Sequence, residues 1–137
     1  MMLVGKVCPV VLRADDDISH LLVFRHPRAG VQLVKGTIEA GELVTAAALR
    51  ELHEEAGIAA VQAVRVLGTS TAIAAGQHWH FVIVHADNLP ERWIHRCADD
   101  GGHDFAFFWH RLDAEPDRDW HPIFLAALHY VRDALRR

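Results

Sequence analysis

Apolar and polar residues alternate along most of this chain, and the alternation gives way twice to a helical rhythm. Positions 6–13 (KVCPVVLR) read as a strand, with Pro9 pointing to a sheet edge or a bulge. Three aspartates at 15–17 form a turn, the solvated tip of a hairpin, and 20–26 (HLLVFRH) returns as a second strand. Pro27-Arg28-Ala29-Gly30 breaks the pattern, and 31–34 resumes it briefly. The first helix is expected over 44–56, where an alanine-rich run carries strong helix formers and Ala48, Leu49 and Leu52 supply part of an apolar stripe. Gly57 stops it, since a left-handed backbone at that point costs glycine nothing. Strands are expected over 61–73, 77–86, 92–97 and 105–112. Over 120–136, Ile123, Phe124, Ala127, Leu128, Val131 and Leu135 recur at helical spacing and predict a second amphipathic helix. Two helices and about seven strands imply an α/β or α+β arrangement, a sheet covered by helices.

A chain of 137 residues suffices for one domain with a real core, and a single domain over 1–137 is expected. The net charge of -4, from 14 Lys and Arg against 18 Asp and Glu, argues against a long nucleic acid as partner. A small phosphorylated molecule that arrives with a metal ion remains compatible. Cys8 and Cys97 lie far apart and form no CxxC pair, so two reduced thiols in a cytoplasmic protein are expected. The opening MMLVGKVCPVVLR has no long apolar core or small-residue cleavage site, and no apolar run approaches the ~20 residues that span a bilayer, so neither a targeting segment nor a membrane partner is expected. Eleven histidines are present; His78 and His80 share one strand face, but no spacing matches a zinc site.

One cluster of charge asks for an explanation. Glu51, Glu54 and Glu55 are i, i+3 and i+4 neighbours, so three carboxylates project from one helical face. Like charges so placed repel, and a hard divalent cation with oxygen ligands is the natural compensation. The surrounding run is Gly36, five residues, Glu42, seven residues, then Arg50-Glu51-Leu52-x-Glu54-Glu55-x-Gly57-Ile58. It resembles the Nudix box, G-x5-E-x7-R-E-U-x-E-E-x-G-U with U a bulky aliphatic residue, and every defined position is filled. The resemblance implies an α/β/α sandwich around a mixed central sheet, with the box as loop–helix–loop. It further implies that the Gly36 carbonyl, Glu51, Glu54 and Glu55 hold Mg²⁺ or Mn²⁺, that Glu42 and Arg50 aim those carboxylates, and that Leu52 and Ile58 pack inward.

The implied reaction is attack of water on one phosphorus of a nucleoside diphosphate linked to another moiety, with the box residues Glu42, Arg50, Glu51, Glu54 and Glu55 as the catalytic set. The base that takes the second proton is either a box glutamate or a distant acid; Asp104, with Glu91 behind it, is the distant candidate, and an ordinary surface carboxylate is the competing reading of both. The chain departs from the usual pattern at Val34, often proline, and at Leu43, where a small polar residue usually caps the helix. Thr45, capping a slightly later start, is the expected substitute.

Substrate signals beyond the box are sparse. No proline follows at 72–74 as in ADP-ribose hydrolases, and the only tyrosine, Tyr130, lies in the last helix rather than where diadenosine polyphosphate hydrolases carry one. The NADH and coenzyme A signatures are absent. By elimination the chain looks MutT-like, converting a nucleoside triphosphate to the monophosphate and pyrophosphate; an ADP-ribose or nucleotide-sugar pyrophosphatase is the alternative, and a nucleotide-sensing module without turnover the alternative of another class. Trp79, Trp93 and Trp109 are candidates to stack a base, core packing being the competing reading. Arg25, Arg28 and Lys35 precede the metal loop and are candidates for phosphate contact. The expected partner is a small nucleotide derivative; family relatives leave a homodimer open.

Overall fold

A computed structural model describes residues 2–59, 61, 63–98 and 101–137. In chain order the elements are β1 (Val4–Asp15), β2 (Ile18–His26), β3 (Gly30–Gln32), β4 (Gly36–Thr37), α1 (Val44–Ala56), β5 (Ala63–Ser70), β6 (Gln77–His85), β7 (Trp93–Cys97), β8 (His103–Arg111) and α2 (Pro122–Leu135). Strand order is β5-β6-β1-β2-β8-β7, with β3 on β2 and β4 on β1. The β1–β6 pair is parallel and every other pair antiparallel, so the sheet is mixed.

Strand alternation divides the core into two layers. Val7, Val11, Leu22, Phe24, Val82, Val84 and Phe107 face Ala47, Ala48, Leu52 and Ala56 of α1. Their sequence neighbours Cys8, Val10, Leu21, Val23, Phe81 and Ile83 face Phe124, Ala127, Leu128 and Val131 of α2. Strands buried on both faces explain why β1 and β6 read as nearly continuous apolar runs. The result is the α/β/α sandwich that the family resemblance implied.

Several local expectations change. Pro9 is neither at an edge nor in a bulge: β1 is central, and the ladder to β6 passes unbroken through Pro9 and Val82. On its other side β1 pairs with β4 only at Lys6 and Val7, and with β2 only from Leu12 onward. Pro9 falls in the gap between these pairings, where a missing N–H is tolerated. β5 ends at Ser70, and 71–76 is a turn closing at Gly76 with φ 75°. β8 begins two residues earlier than expected, at His103. α1 starts at Val44 with Leu43 as N-cap and no side-chain cap bond, so Thr45 lies inside the helix rather than capping it. Its end matches the reading: Gly57 has φ 74°, its N–H donates to the His53 carbonyl, and that of Ile58 to Leu52. No helix among the described residues is long and apolar enough to cross a membrane.

Candidate active site

The short strand β4 fixes the box against the sheet. Thr37 lies opposite Lys6 and Gly36 opposite Val7, so the loop before α1 is stitched to the central strand. Leu52, with no exposed surface, anchors α1 on the sheet below. The two attachments bring the loop and the Glu51 turn of the helix into contact. A Cβ placed on Gly36 would lie 1.9 Å from Cδ of Glu51 and 2.0 Å and 2.4 Å from its oxygens, so only glycine leaves room for the carboxylate.

Arg50 organises the acids. Its Nε donates to Glu42 Oε2 at 2.8 Å and its Nη2 to Glu42 Oε1 at 2.9 Å, a bidentate pair between the helix and the loop that leads into it. Nη1 donates to Glu51 Oε1 at 2.8 Å and Glu54 Oε2 at 3.3 Å, and Nη2 also reaches the Thr37 carbonyl at 3.0 Å. One guanidinium therefore ties the loop to three glutamates of the box. The far oxygen of the Glu42 pair accepts the Glu39 N–H, and Arg50 first, then that bond, hold the Glu42 carboxyl down at about 2. Burial pushes Glu51 up from the usual carboxylate range, opposed by its bonds to Arg50 and Glu55. Glu55 is buried and accepts the Lys35 N–H at 3.3 Å. Glu54 is the open member, with half its side chain exposed.

Glu51, Glu54 and Glu55, with Arg50, form one wall of a cleft of about 760 Å³. The opposite wall is aromatic: His26 from β2, and His103 and Phe105 from β8, with His26 4.8 Å from His103 and 5.3 Å from Phe105 between ring centroids. His26 Nδ1 accepts the N–H groups of Arg28 and Ala29 at 3.0 Å and 3.1 Å. An acceptor nitrogen carries no proton, so the neutral ring bears its hydrogen on Nε2. Lys6 and Lys35 line the cleft near Gly36. Burial, and then the charge of Lys35, hold the Lys6 ammonium below its ordinary range, with Glu51 opposing.

The residues expected to touch substrate fare unevenly. Lys35 lies in the cleft, whereas Arg28 does not line it. Arg25 alternates with Phe24 and His26 to the other face, where it pairs with Asp119 at 3.3 Å. Trp79 has no exposed surface; it packs on Phe81 and Phe124 under α2, with Nε1–H donating to Gln77, and offers no face to a base. Trp93 stacks on Phe107 and donates to the Ala56 carbonyl at 2.9 Å, closing the end of α1. Trp109 donates to the Pro90 carbonyl and carries Arg13 over its ring. Asp104 sits between cleft-lining His103 and Phe105, so it points to the opposite face, where it pairs with Arg96 at 3.2 Å. Glu91 is taken by Arg13 at 2.7 Å and 2.8 Å. Neither distant acid stands in the cleft.

Lys6, His26, His103 and Phe105 went unread in the sequence. The one signal available was parity, since His26 shares a strand face with Phe24, but it names no cleft until β2 is paired with β8. His95 also acts at a distance: its Nε2 lies 3.0 Å from the Glu54 carbonyl, at the end of the acidic helix.

The donor set suits a hard cation: carboxylate oxygens, two of the acids buried, and a loop glycine shaped around one of them. Among the described residues no three His, Cys, Asp or Glu side chains are already gathered as a ligand set; Glu51 and Glu54 are both held on Nη1 of Arg50. A second recess between the β1–β2 hairpin and the end of α2, lined by Leu12, Ile18, Leu112 and Arg132, has no comparable set of acids.

A NUDIX domain model matches residues 4–128. No curated protein matches the chain. Among solved structures it is similar to a MutT/nudix family protein from Enterococcus faecalis, at 14% identity and a TM-score of 0.68, with all of this chain aligned to 64% of that one. The chain thus spans a little under two thirds of that relative. It is also similar to a MutT NUDIX hydrolase from Burkholderia pseudomallei (25% identity, TM-score 0.63, 96% of this chain and 99% of that chain). The NUDIX domain of Shewanella oneidensis NrtR, solved with ADP ribose, aligns at 17% identity and a TM-score of 0.64 over 98% of this chain and 90% of that one.

Proposed function

The chain belongs to the NUDIX family of pyrophosphohydrolases, and we propose that it hydrolyses a nucleoside diphosphate linked to a further group, a nucleoside triphosphate giving the monophosphate and pyrophosphate. The observation that carries this reading is the Arg50 network. It aims three carboxylates of the box and ties them to the Gly36 loop, an arrangement with no evident use in packing alone. Gly36 through its carbonyl, with Glu51, Glu54 and Glu55, would hold Mg²⁺ or Mn²⁺. Bound there, the cation supplies charge to the phosphoryl oxygens and acidity to a water.

The protein's own groups do the rest. Arg50 and Glu42 keep the acids in register, since phosphoryl transfer depends mostly on alignment and charge. Water oxygen bonds to phosphorus, the bridging P–O bond breaks, and the bridging oxygen leaves on pyrophosphate. The proton lost by the water goes to a box glutamate, because Asp104 and Glu91 are engaged elsewhere. Glu54, the exposed member of the trio, is the acid best placed to exchange it with solvent. His26, His103 and Phe105, whose rings are tilted against one another, give a base aromatic faces to stack on. A reducing compartment, the cytoplasm, suits Cys8 and Cys97, which are buried and form no disulfide.

The test is a screen of nucleoside triphosphates, ADP-ribose, nucleotide sugars and dinucleoside polyphosphates with Mg²⁺ and with Mn²⁺, reading released phosphate after phosphatase coupling. Turnover of triphosphates above the other classes is expected. Turnover of ADP-ribose or nucleotide sugars instead would replace the substrate, and none of any class would leave a nucleotide-binding module.

A further inference from the structure

The cleft has a cationic end that the box does not use. Lys6 and Lys35 stand on the Gly36 side, one from β1 and one from the loop before β4. The Lys6 ammonium donates to Thr37 Oγ1 at 2.7 Å. The Lys35 ammonium lies 5.8 Å from the ring centroids of both Trp79 and Phe124, which fix its position from the core side. Both lysines are half-buried, and neither shares the ion pairs that Arg50 makes with Glu42, Glu51 and Glu54. Burial first, and then the charge of Lys35, lowers the Lys6 ammonium, with Glu51 opposing. Two like charges half-withdrawn from water within each other's field favour an anion that joins them.

We infer that Lys6 and Lys35, with the Thr37 hydroxyl between β4 and β1, form a subsite for the terminal phosphate end of the substrate. The inference rests on reading the cleft as a phosphoanhydride site and adds what sets its specificity. A terminal phosphate carries close to two negative charges at neutral pH, whereas one buried inside a chain of phosphates carries one. Two ammoniums match the first. Lysine suits the task because it acts as a point charge with three donors and does not require a planar bidentate partner. The cleft thus has an acidic pole for a cation and a basic pole for a phosphate tail, on either side of Gly36. A substrate capped at both ends, such as ADP-ribose, puts no dianion there; a nucleoside triphosphate does.

Inorganic pyrophosphate is the direct probe, titrated calorimetrically into the full chain with and without Mg²⁺, with no turnover involved. Lys6→Met and Lys35→Met are each expected to weaken its binding about 10-fold or more, as loss of a charge-assisted contact implies, and Lys6→Arg to recover most of it. In hydrolysis, each methionine variant is expected to lower the ratio of kcat/KM for a triphosphate over ADP-ribose about 10-fold, mainly through KM. Thermal unfolding of each variant separates lost binding from lost folding. Folded methionine variants that bind pyrophosphate like the parent would overturn the subsite while leaving the hydrolase reading intact. Pyrophosphate binding that depends on both lysines in a chain that hydrolyses nothing would overturn the hydrolase reading and leave the subsite standing.

Discussion

Gly36 and Glu51 occupy the same space in different senses: a methyl group on the glycine would stand 1.9 Å from the carboxylate carbon of the glutamate. The glycine is the complement of the acid. Gly36→Ala should therefore push the Glu51 carboxylate off its position while leaving the sheet intact, since the clashing atoms end a flexible side chain. The expected result is a loss of turnover of at least ~100-fold with a far-UV circular dichroism spectrum like the parent's. An active Gly36→Ala enzyme would show that Glu51 works from some other place.

Glu54→Gln and Glu55→Gln each keep shape and remove charge. Each is expected to lower kcat at least ~100-fold while the protein stays folded, because a contact made to a cation in the transition state is weakened. Cation binding provides a second readout, since a ligand that prefers the folded state raises its melting temperature. Mg²⁺ or Mn²⁺ should raise the melting temperature of the parent and much less that of either variant.

Arg50→Lys is not conservative here. Lysine cannot supply the fork that holds Glu42 through two nitrogens and still reaches Glu51 and the Thr37 carbonyl. The buried Glu51 oxygen would lose a charged donor, and a stability loss of about 1–3 kcal/mol is expected in denaturant titration, with turnover falling as well. Leu52→Ala is the contrast: on the same turn but wholly buried against the sheet, it should cost about 2–5 kcal/mol.

The Glu42–Arg50 pair also predicts a pH dependence. Glu42 is held at about 2, below the ordinary 4.5, by Arg50 and by the Glu39 N–H. A carboxyl depressed in the folded state binds fewer protons there than when unfolded, so stability falls as pH falls. The pair's contribution should be complete above about pH 4.5 and fade as pH drops towards 2. The stability difference between parent and Glu42→Gln, measured in denaturant, should be greatest near pH 6 and shrink by pH 3. A difference that stays constant over that range would mean the carboxylate charge is not what stabilises.

The acidic wall of the site was legible in the sequence because it is local. Helical spacing sets Glu51, Glu54 and Glu55 on one face, the box resemblance adds Glu42 and Arg50 to them, and α1 spans the expected Val44–Ala56. The opposite wall was not, because it is made by pairing. His26 meets His103 and Phe105 only through the β2–β8 ladder, and Lys6 meets Thr37 only through β1–β4. Parity decided where Arg25, Trp79 and Asp104 went, and Arg25 faces away from the cleft that its neighbour His26 lines. Trp79 shares its strand face with Phe81 and Ile83, and that is the face α2 covers. Starting β8 at His103 makes Asp104 an interior strand residue, and its neighbours on both sides take the cleft. Pro9 suggested an edge for the same reason: local chemistry cannot show that a central strand changes partners midway, leaving one stretch where no donor is needed.

In the proposed reaction the box glutamates, with a divalent cation, break a phosphoanhydride bond. The most direct measurement is ³¹P NMR of a nucleoside triphosphate incubated with the purified chain, with Mg²⁺, with EDTA, and with the Glu54→Gln variant in Mg²⁺. Monophosphate and pyrophosphate signals should grow with the parent in Mg²⁺ and be absent or at least ~100-fold slower in the other two samples. Equal rates in all three, or none in the first, would contradict the account.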